Sequence, residues 1–221
     1  MQPLFITGIG TDVGKTVIAA IVTEAIQASY WKPVQAGFDQ GTDSQWVADR
    51  ITHSKDRIWQ ETYRLALPAS PHIAARKEGL RIDLDHIAAR WNNHRPSGDA
   101  GSDWLVIEGA GGLLVPLNEE EFIADLAVKL KAPLLLVSRN YLGSINHSLL
   151  TARVARSYGL PVAGWIFNGE YGHYEQEIVK WSGIPFIGSV PHSERPPDAE
   201  FIQSQAVRIR ASLQEALTSI K

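Results

Sequence analysis

The sequence predicts an α/β fold, a mostly parallel sheet with helices on both faces. Short β-rich runs recur along the chain with helical patterns between them, the alternation that builds βαβ units. Several of those runs are apolar throughout, as strands become when helices cover both of their faces. The third sign is local: the first run passes through a glycine-rich turn straight into an unbroken helical stretch.

In chain order, PLFIT supplies the first strand, GIGTDVGKT the turn and TVIAAIVTEAI the helix after Lys15. YWKPV reads as the second strand and DWLVIEG as the third, followed by APLLLVS, PVAGWIFN and PFIGSVP. Helical periodicity falls roughly on residues 83 to 95, 121 to 131, 144 to 158 and 173 to 182, and closes the chain from about 198. The closing helix sets Ile202, Ala206, Ile209, Leu213 and Leu217 on one face, a stripe for core or dimer packing. A membrane-targeting helix would carry more basic charge on its polar side. Trp46, Trp91 and Trp181 lie in helical patterns and read as packing residues. HRPSGDAGSD reads as a surface loop, because a domain boundary there would leave about 100 residues before it with too few strands. One domain over residues 1–221 is the expectation.

With 44% hydrophobic and 20% charged residues, the chain has the balance of an ordinary globular protein. Its net charge of −3 gives no broad basic field, so a nucleic-acid partner is not expected. The absence of cysteine excludes disulfides, thiolate catalysis, iron–sulfur clusters and cysteine zinc sites. No apolar run approaches the length of a membrane span and the chain opens directly into a strand, which reads as a cytoplasmic protein without a membrane partner.

The turn carries the first chemistry. A tight glycine turn between strand and helix aims backbone N–H groups and the positive end of the helix dipole at one point, where an anion is stabilised. Gly8, Gly10 and Gly14 give the permissive backbone, Lys15 a point charge for outer phosphates and Thr16 a hydroxyl for Mg2+. This is a P-loop of unusual spacing, since the common form G-x-x-x-x-G-K-[ST] places glycine where this chain has Ile9. Ligands of such sheets sit beyond the carboxyl ends of the strands. There DWLVIEGAGG places Glu108, a carboxylate for Mg2+ or its water, with Gly109, Gly111 and Gly112 letting backbone approach a ligand. Lys32 takes the corresponding place after the second strand, or is a solvated surface charge. Asp43 completes a metal shell or, with Thr42, caps a helix; Asp49 is the weaker acid because it lies within that helix. His147 reads as a hydrogen-bonded helix residue, and His72 has no assigned role.

Taken together these residues resemble the dethiobiotin synthetases, ATP-dependent enzymes of the P-loop class, over nearly the whole chain. That family writes its loop G-x-x-x-[DE]-V-G-K-[ST], which is how GIGTDVGKT reads. Further family-like stretches follow in order: KPV with Gly37, Ser-Pro-His within PASPHIAA, EGAGGLLVPL, LGSINHSLLT, AGWIFN and GSVPH. The resemblance implies carboxylation of 7,8-diaminononanoate with CO2 and ATP, and closure of a ureido ring, with Mg2+ as cofactor. It implies that Lys15 and Lys32 face the γ-phosphate and carbamate, and that Thr11 bonds the carbamate. Thr16, Asp43 and Glu108 would arrange Mg2+. Gly10, Thr11, Asp12, Val13, Gly14, Lys15, Thr16 and Val17 would cradle the nucleotide, with Glu108, Gly109, Ala110 and Gly111 beside them. Asn168 would read the adenine edge, with Val190, Pro191 and His192 on its other side. The diamine would meet Thr11, Lys32 and Ala36, while its carboxylate is held by Gly143, Ser144, Ile145 and Asn146 of a partner subunit, with Tyr174 nearby, so a homodimer is implied. One departure stands out: the family usually has Ser or Thr before the glycine of the KPV turn, where this chain has Ala36. The rivals are a nucleotide-switched regulatory ATPase working on DNA or membrane and a small-molecule kinase of the same fold. Against the switch, such proteins generally carry an extra lysine early in the loop, where Ile9 and Gly10 stand here.

Overall fold

A computed structural model describes residues 1–53, 57–93, 103–169, 172–191, 193 and 195–220. The first part of the chain forms β1 (Gln2–Gly8), α1 (Lys15–Ala25), β2 (Ser29–Trp31), β3 (Val34–Ala36), α2 (Asp43–Ala48), β4 (Ile58–Trp59) and β5 (Tyr63–Leu65). Next come α3 (Pro71–Lys77), α4 (Leu84–Asn93), β6 (Trp104–Glu108), α5 (Ile123–Lys129) and β7 (Leu134–Arg139). The chain closes with α6 (Ser144–Ser157), β8 (Val162–Asn168), α7 (Glu175–Ser182), β9 (Phe186–Val190) and α8 (Ala199–Ser219). Seven strands pair in the order β4-β2-β6-β1-β7-β8-β9, every neighbour parallel.

Alternation of side chains along the strands divides the core into two clusters, one on each face. Leu4 and Ile6 of β1 join Val106, Leu135 and Ile166 beneath α1 and α8. Phe5, one residue out of phase, joins Ile107, Leu136 and Phe167 beneath α4, α5, α6 and α7. All nine of these strand residues are fully buried, which is why their segments read as unbroken apolar runs. On α8 the expected stripe of Ile202, Ala206, Ile209, Leu213 and Leu217 is buried, each large aliphatic contributing about 1.5–3 kcal/mol of transfer free energy. Asp198 caps that helix by accepting from Phe201 N at 2.9 Å. Among the described residues, no helix is long and apolar enough to cross a membrane.

Two expectations need correction. YWKPV is not one strand: β2 ends at Trp31, and β3 pairs with β5 in a separate two-stranded parallel ribbon. Pro33 has no N–H for the ladder, and its carbonyl turns away to accept from Thr62 N and Tyr63 N at 2.9 and 3.0 Å. Trp91 is a core residue, but Trp181 is 56% exposed and packs little. The helix expected over roughly residues 83 to 95 is described from Leu84 to Asn93, and the residues after it, with the loop expected there, lie outside the described residues except for Asp103.

Candidate active site

The glycine turn joins β1 to α1, and Gly14 caps that helix without a side chain, at φ 86°. A Cβ on Gly14 would sit 2.0 Å from Asn168 Nδ2, whose own bond to Val13 O is 3.0 Å. Only glycine therefore lets the end of β8 close against the turn. The shifted spacing of the loop also has a local cause. Val13 folds back over residue 8, where a Cβ would meet Val13 Cγ2 at 2.5 Å, while Ile9 packs against the core. The glycine is required at 8 and not at 9.

Lys15 opens α1, is 8% exposed, and donates to Gly10 O at 2.9 Å. Burial lowers its pKa, partly opposed by the charge of Glu108. Thr16 Oγ1 donates to Glu108 Oε1 at 2.9 Å. Glu108, at the end of β6, is 1% exposed and fully engaged: Oε1 also accepts from Lys32 Nζ at 3.0 Å, and Oε2 accepts from Tyr30 OH at 2.7 Å. Lys32 makes a second ion pair with Asp43. Burial, the largest influence on Lys32, would lower its pKa, but Glu108 and Asp43 outweigh it and hold the ammonium above its ordinary value. The chain exit at Pro33 is what leaves Lys32 at this edge of the sheet, buried and paired, so it is no solvated surface charge.

Asp43 and Thr42 divide the two roles open to them. Thr42 is the helix cap: its Oγ1 accepts from Gln45 N at 3.2 Å, and Gln45 Oε1 accepts from Thr42 N at 3.0 Å. Asp43 is thereby free to face Lys32. Asp49 sits at the far end of α2, exposed, and does not line the cavity. Gln35, buried between them, clips the connection: its Oε1 accepts from Asp43 N at 3.2 Å and its Nε2 donates to Gly37 O at 2.8 Å.

One cavity of about 920 Å3 gathers Thr11, Lys15, Thr16, Lys32, Asp43 and Glu108. Asp12, Gly14, Val17, Ala36, Ala110 and Gly111 complete the walls expected from the sequence. Gly10 and Val13 serve the turn through their carbonyls, and Gly109 is pressed against Phe5, 2.7 Å from a would-be Cβ. Asn168 pairs in register with Val190, and Pro191 follows, so the ends of β8 and β9 lie side by side next to the turn. His192 lies outside the described residues. Gly143 caps α6 and leads into Ser144, Ile145 and Asn146, and Tyr174 caps α7; within one chain none of these lines the cavity. His147 is hydrogen-bonded through Nδ1 to Tyr141 OH at 2.6 Å. Sequence reasoning missed Tyr30 and Gln35, read Trp46 only as packing, and gave no role to the Pro68–Pro71 wall. The Ser-Pro-His stretch had marked the last of these, and Ser70 Oγ is bonded to His72 Nδ1 at 3.0 Å.

Thr16, Glu108 and Asp43 are the kinds of donor that Mg2+ takes together with phosphate oxygens and water. Among the described residues no group of three or more His, Cys, Asp or Glu side chains that could hold a metal ion occurs.

A parallel sheet, a glycine turn ending in Gly14-Lys15-Thr16, and a carboxylate at the end of the neighbouring strand define a P-loop NTPase-like protein. Over 189 residues the chain is 44% identical to the ATP-dependent dethiobiotin synthetase BioD of Afipia carboxidovorans, spanning 85% of this chain and 86% of that one. Over 210 residues it is 42% identical to the BioD of Cytophaga hutchinsonii, spanning 95% and 97%. The chain belongs to the ATP-dependent dethiobiotin synthetase family, and is an ATP-dependent ligase with a role in biotin biosynthesis. A family model described as an AAA domain matches residues 2–196. In fold it is similar to the septum site-determining protein MinD complexed with Mg-ADP from Pyrococcus horikoshii, at a TM-score of 0.55 and 16% identity over 100% of this chain and 97% of that one. That likeness is one of fold alone.

Proposed function

We propose that this chain carboxylates 7,8-diaminononanoate with CO2 and closes the ureido ring of dethiobiotin at the expense of ATP, leaving ADP and phosphate. The observation that carries the reading is the buried Lys32 ammonium, held by Glu108 and Asp43 in the same cavity as Lys15.

An alkyl diamine is mostly protonated at neutral pH, and a protonated amine cannot attack CO2. Lys32 and Lys15 oppose a further cation between them and so favour the neutral amine. At an effective dielectric near 20, a unit charge about 4 Å away is worth roughly 4 kcal/mol, which moves an amine pKa by about three. Once the amine has captured CO2, the same ammoniums stabilise the carbamate anion, to which the Thr11 hydroxyl donates. The carbamate oxygen then displaces ADP from the γ-phosphorus, with Lys15 and the turn holding the phosphates in line. The second amine opens the mixed anhydride, closing the ring and releasing phosphate. Mg2+, held by Thr16, Asp43 and Glu108, would neutralise phosphate charge. No protein nucleophile is required.

Asn168 reads the adenine edge in this account, with Val190, Pro191 and His192 across from it. Gly143 to Asn146 of a second copy, with Tyr174, hold the substrate carboxylate, which makes the working form a homodimer. A single domain working in the cytoplasm completes the reading. Purified protein with Mg-ATP, bicarbonate and the diamine is expected to form dethiobiotin. A phosphorylated diamine would replace the reading with a kinase, and ATP hydrolysis responsive to DNA or lipid but not to the diamine would replace it with a regulatory switch.

A further inference from the structure

Tyr30 is the polar exception in an apolar neighbourhood. It lies on β2, in register with Val106, and packs with Ile18, Ile21 and Val106 in the cluster beneath α1. It is fully buried, and its hydroxyl donates to Glu108 Oε2 at 2.7 Å, on the side of the carboxylate away from Thr16 and Lys32. Phenylalanine would fill the same volume, so packing alone does not account for the oxygen.

We infer that Tyr30 is a positioning residue that fixes the plane of the Glu108 carboxylate, so that Oε1 alone is presented to Thr16, Lys32 and the Mg-nucleotide. The terminal torsion of glutamate is broad and roughly two-fold, so a carboxylate without a donor on its second oxygen samples other orientations. A hydrogen bond from a buried hydroxyl to a charged oxygen removes that freedom. An ionised carboxylate can only accept, so the phenol hydroxyl is the donor in this bond. The inference rests on the Mg-nucleotide reading of the site, yet fails separately from it.

The test is Tyr30→Phe, which deletes one oxygen, with ATP affinity measured by calorimetry in Mg2+ and in EDTA. A lost bond of this class corresponds to about tenfold or more, expected in the Mg2+ affinity and absent in EDTA. With Glu108→Gln already in place, Tyr30→Phe is expected to change nothing further, because the group it positions has lost its charge. Equal losses in Mg2+ and EDTA, no loss in either, or the same loss repeated beside Glu108→Gln would overturn the inference. If the wild type itself gains no affinity from Mg2+, the reading of the site fails instead. A second measurement needs no variant: with tyrosine labelled at 13Cζ, one of the six resonances is expected to shift when Mg-ADP is added and not when ADP is added in EDTA, and a spectrum in which no tyrosine distinguishes the two would also overturn the inference.

Discussion

Lys32 Nζ lies 3.0 Å from Glu108 Oε1, and both side chains are almost wholly withdrawn from solvent. One pair thus links the end of β6 to the point where the chain leaves β2. Their proximity joins the glycine-turn end of the cavity to the wall formed by Ala36 and Asp43.

Lys32→Gln is expected to lower turnover by about a hundredfold or more while changing ATP affinity little, because its charge acts on species formed during reaction. Steady-state rates beside calorimetric ATP binding make the comparison. Unchanged turnover would remove Lys32 from the mechanism.

The two buried lysines should have opposite effects on stability without nucleotide. The pKa of Lys15 is lowered chiefly by burial, so its charge is a cost that is fully present at neutral pH and fades as pH rises towards 10.5. Lys15→Met should therefore melt above wild type at pH 7, lose ATP binding, and converge with wild type near pH 10.5. The pKa of Lys32 is raised by Glu108 and Asp43 in spite of burial, so its contribution is fully present below 10.5 and is lost as pH rises above that value. Melting curves of Lys32→Met should lie below wild type, and the gap should shrink only above pH 10.5.

Gly14→Ala combines a left-handed backbone, costing about 1–2 kcal/mol for a residue with a Cβ, with a collision against Asn168. Loss of nucleotide binding is expected together with a lower melting temperature. An alanine variant that binds ATP normally would mean that the turn relaxes at no cost.

Asp43 and Asp49 separate by function in one titration of activity against Mg2+. Asp43→Asn should raise the half-saturating Mg2+ by about tenfold or more, while Asp49→Asn, exposed at the end of α2, should change it by less than about twofold. The reverse outcome would move the metal to the other acid.

The sheet was legible because strands sandwiched between two helical layers must be apolar on both sides, and such runs stand out. The β3-β5 ribbon was not, since strands of three residues carrying Gln35 and Arg64 have no period to detect. Glu108 was visible as a charge ending an apolar strand. Tyr30 was hidden because aromatic residues are common in strands and its hydroxyl partner lies 78 residues away in sequence. For Asp43 the signal was present: Thr42 and Gln45 stand at capping-box spacing, which assigns the cap to Thr42 and releases Asp43. Helical period alone gave no warning that Trp181 lies at an uncovered edge, because period reports which residues share a face and not whether anything lies against it.

The break at Pro33 also has a mechanical consequence. On one side Lys32 is anchored to a seven-stranded slab; on the other it continues into a ribbon with a single partner strand, steadied by α3. Such a ribbon has little rigidity of its own. The wall around Ala36 thus hangs on a single ladder of its own, while the glycine turn is seated between the ends of β1 and β8, so the two sides of the cavity are held by separate sets of bonds.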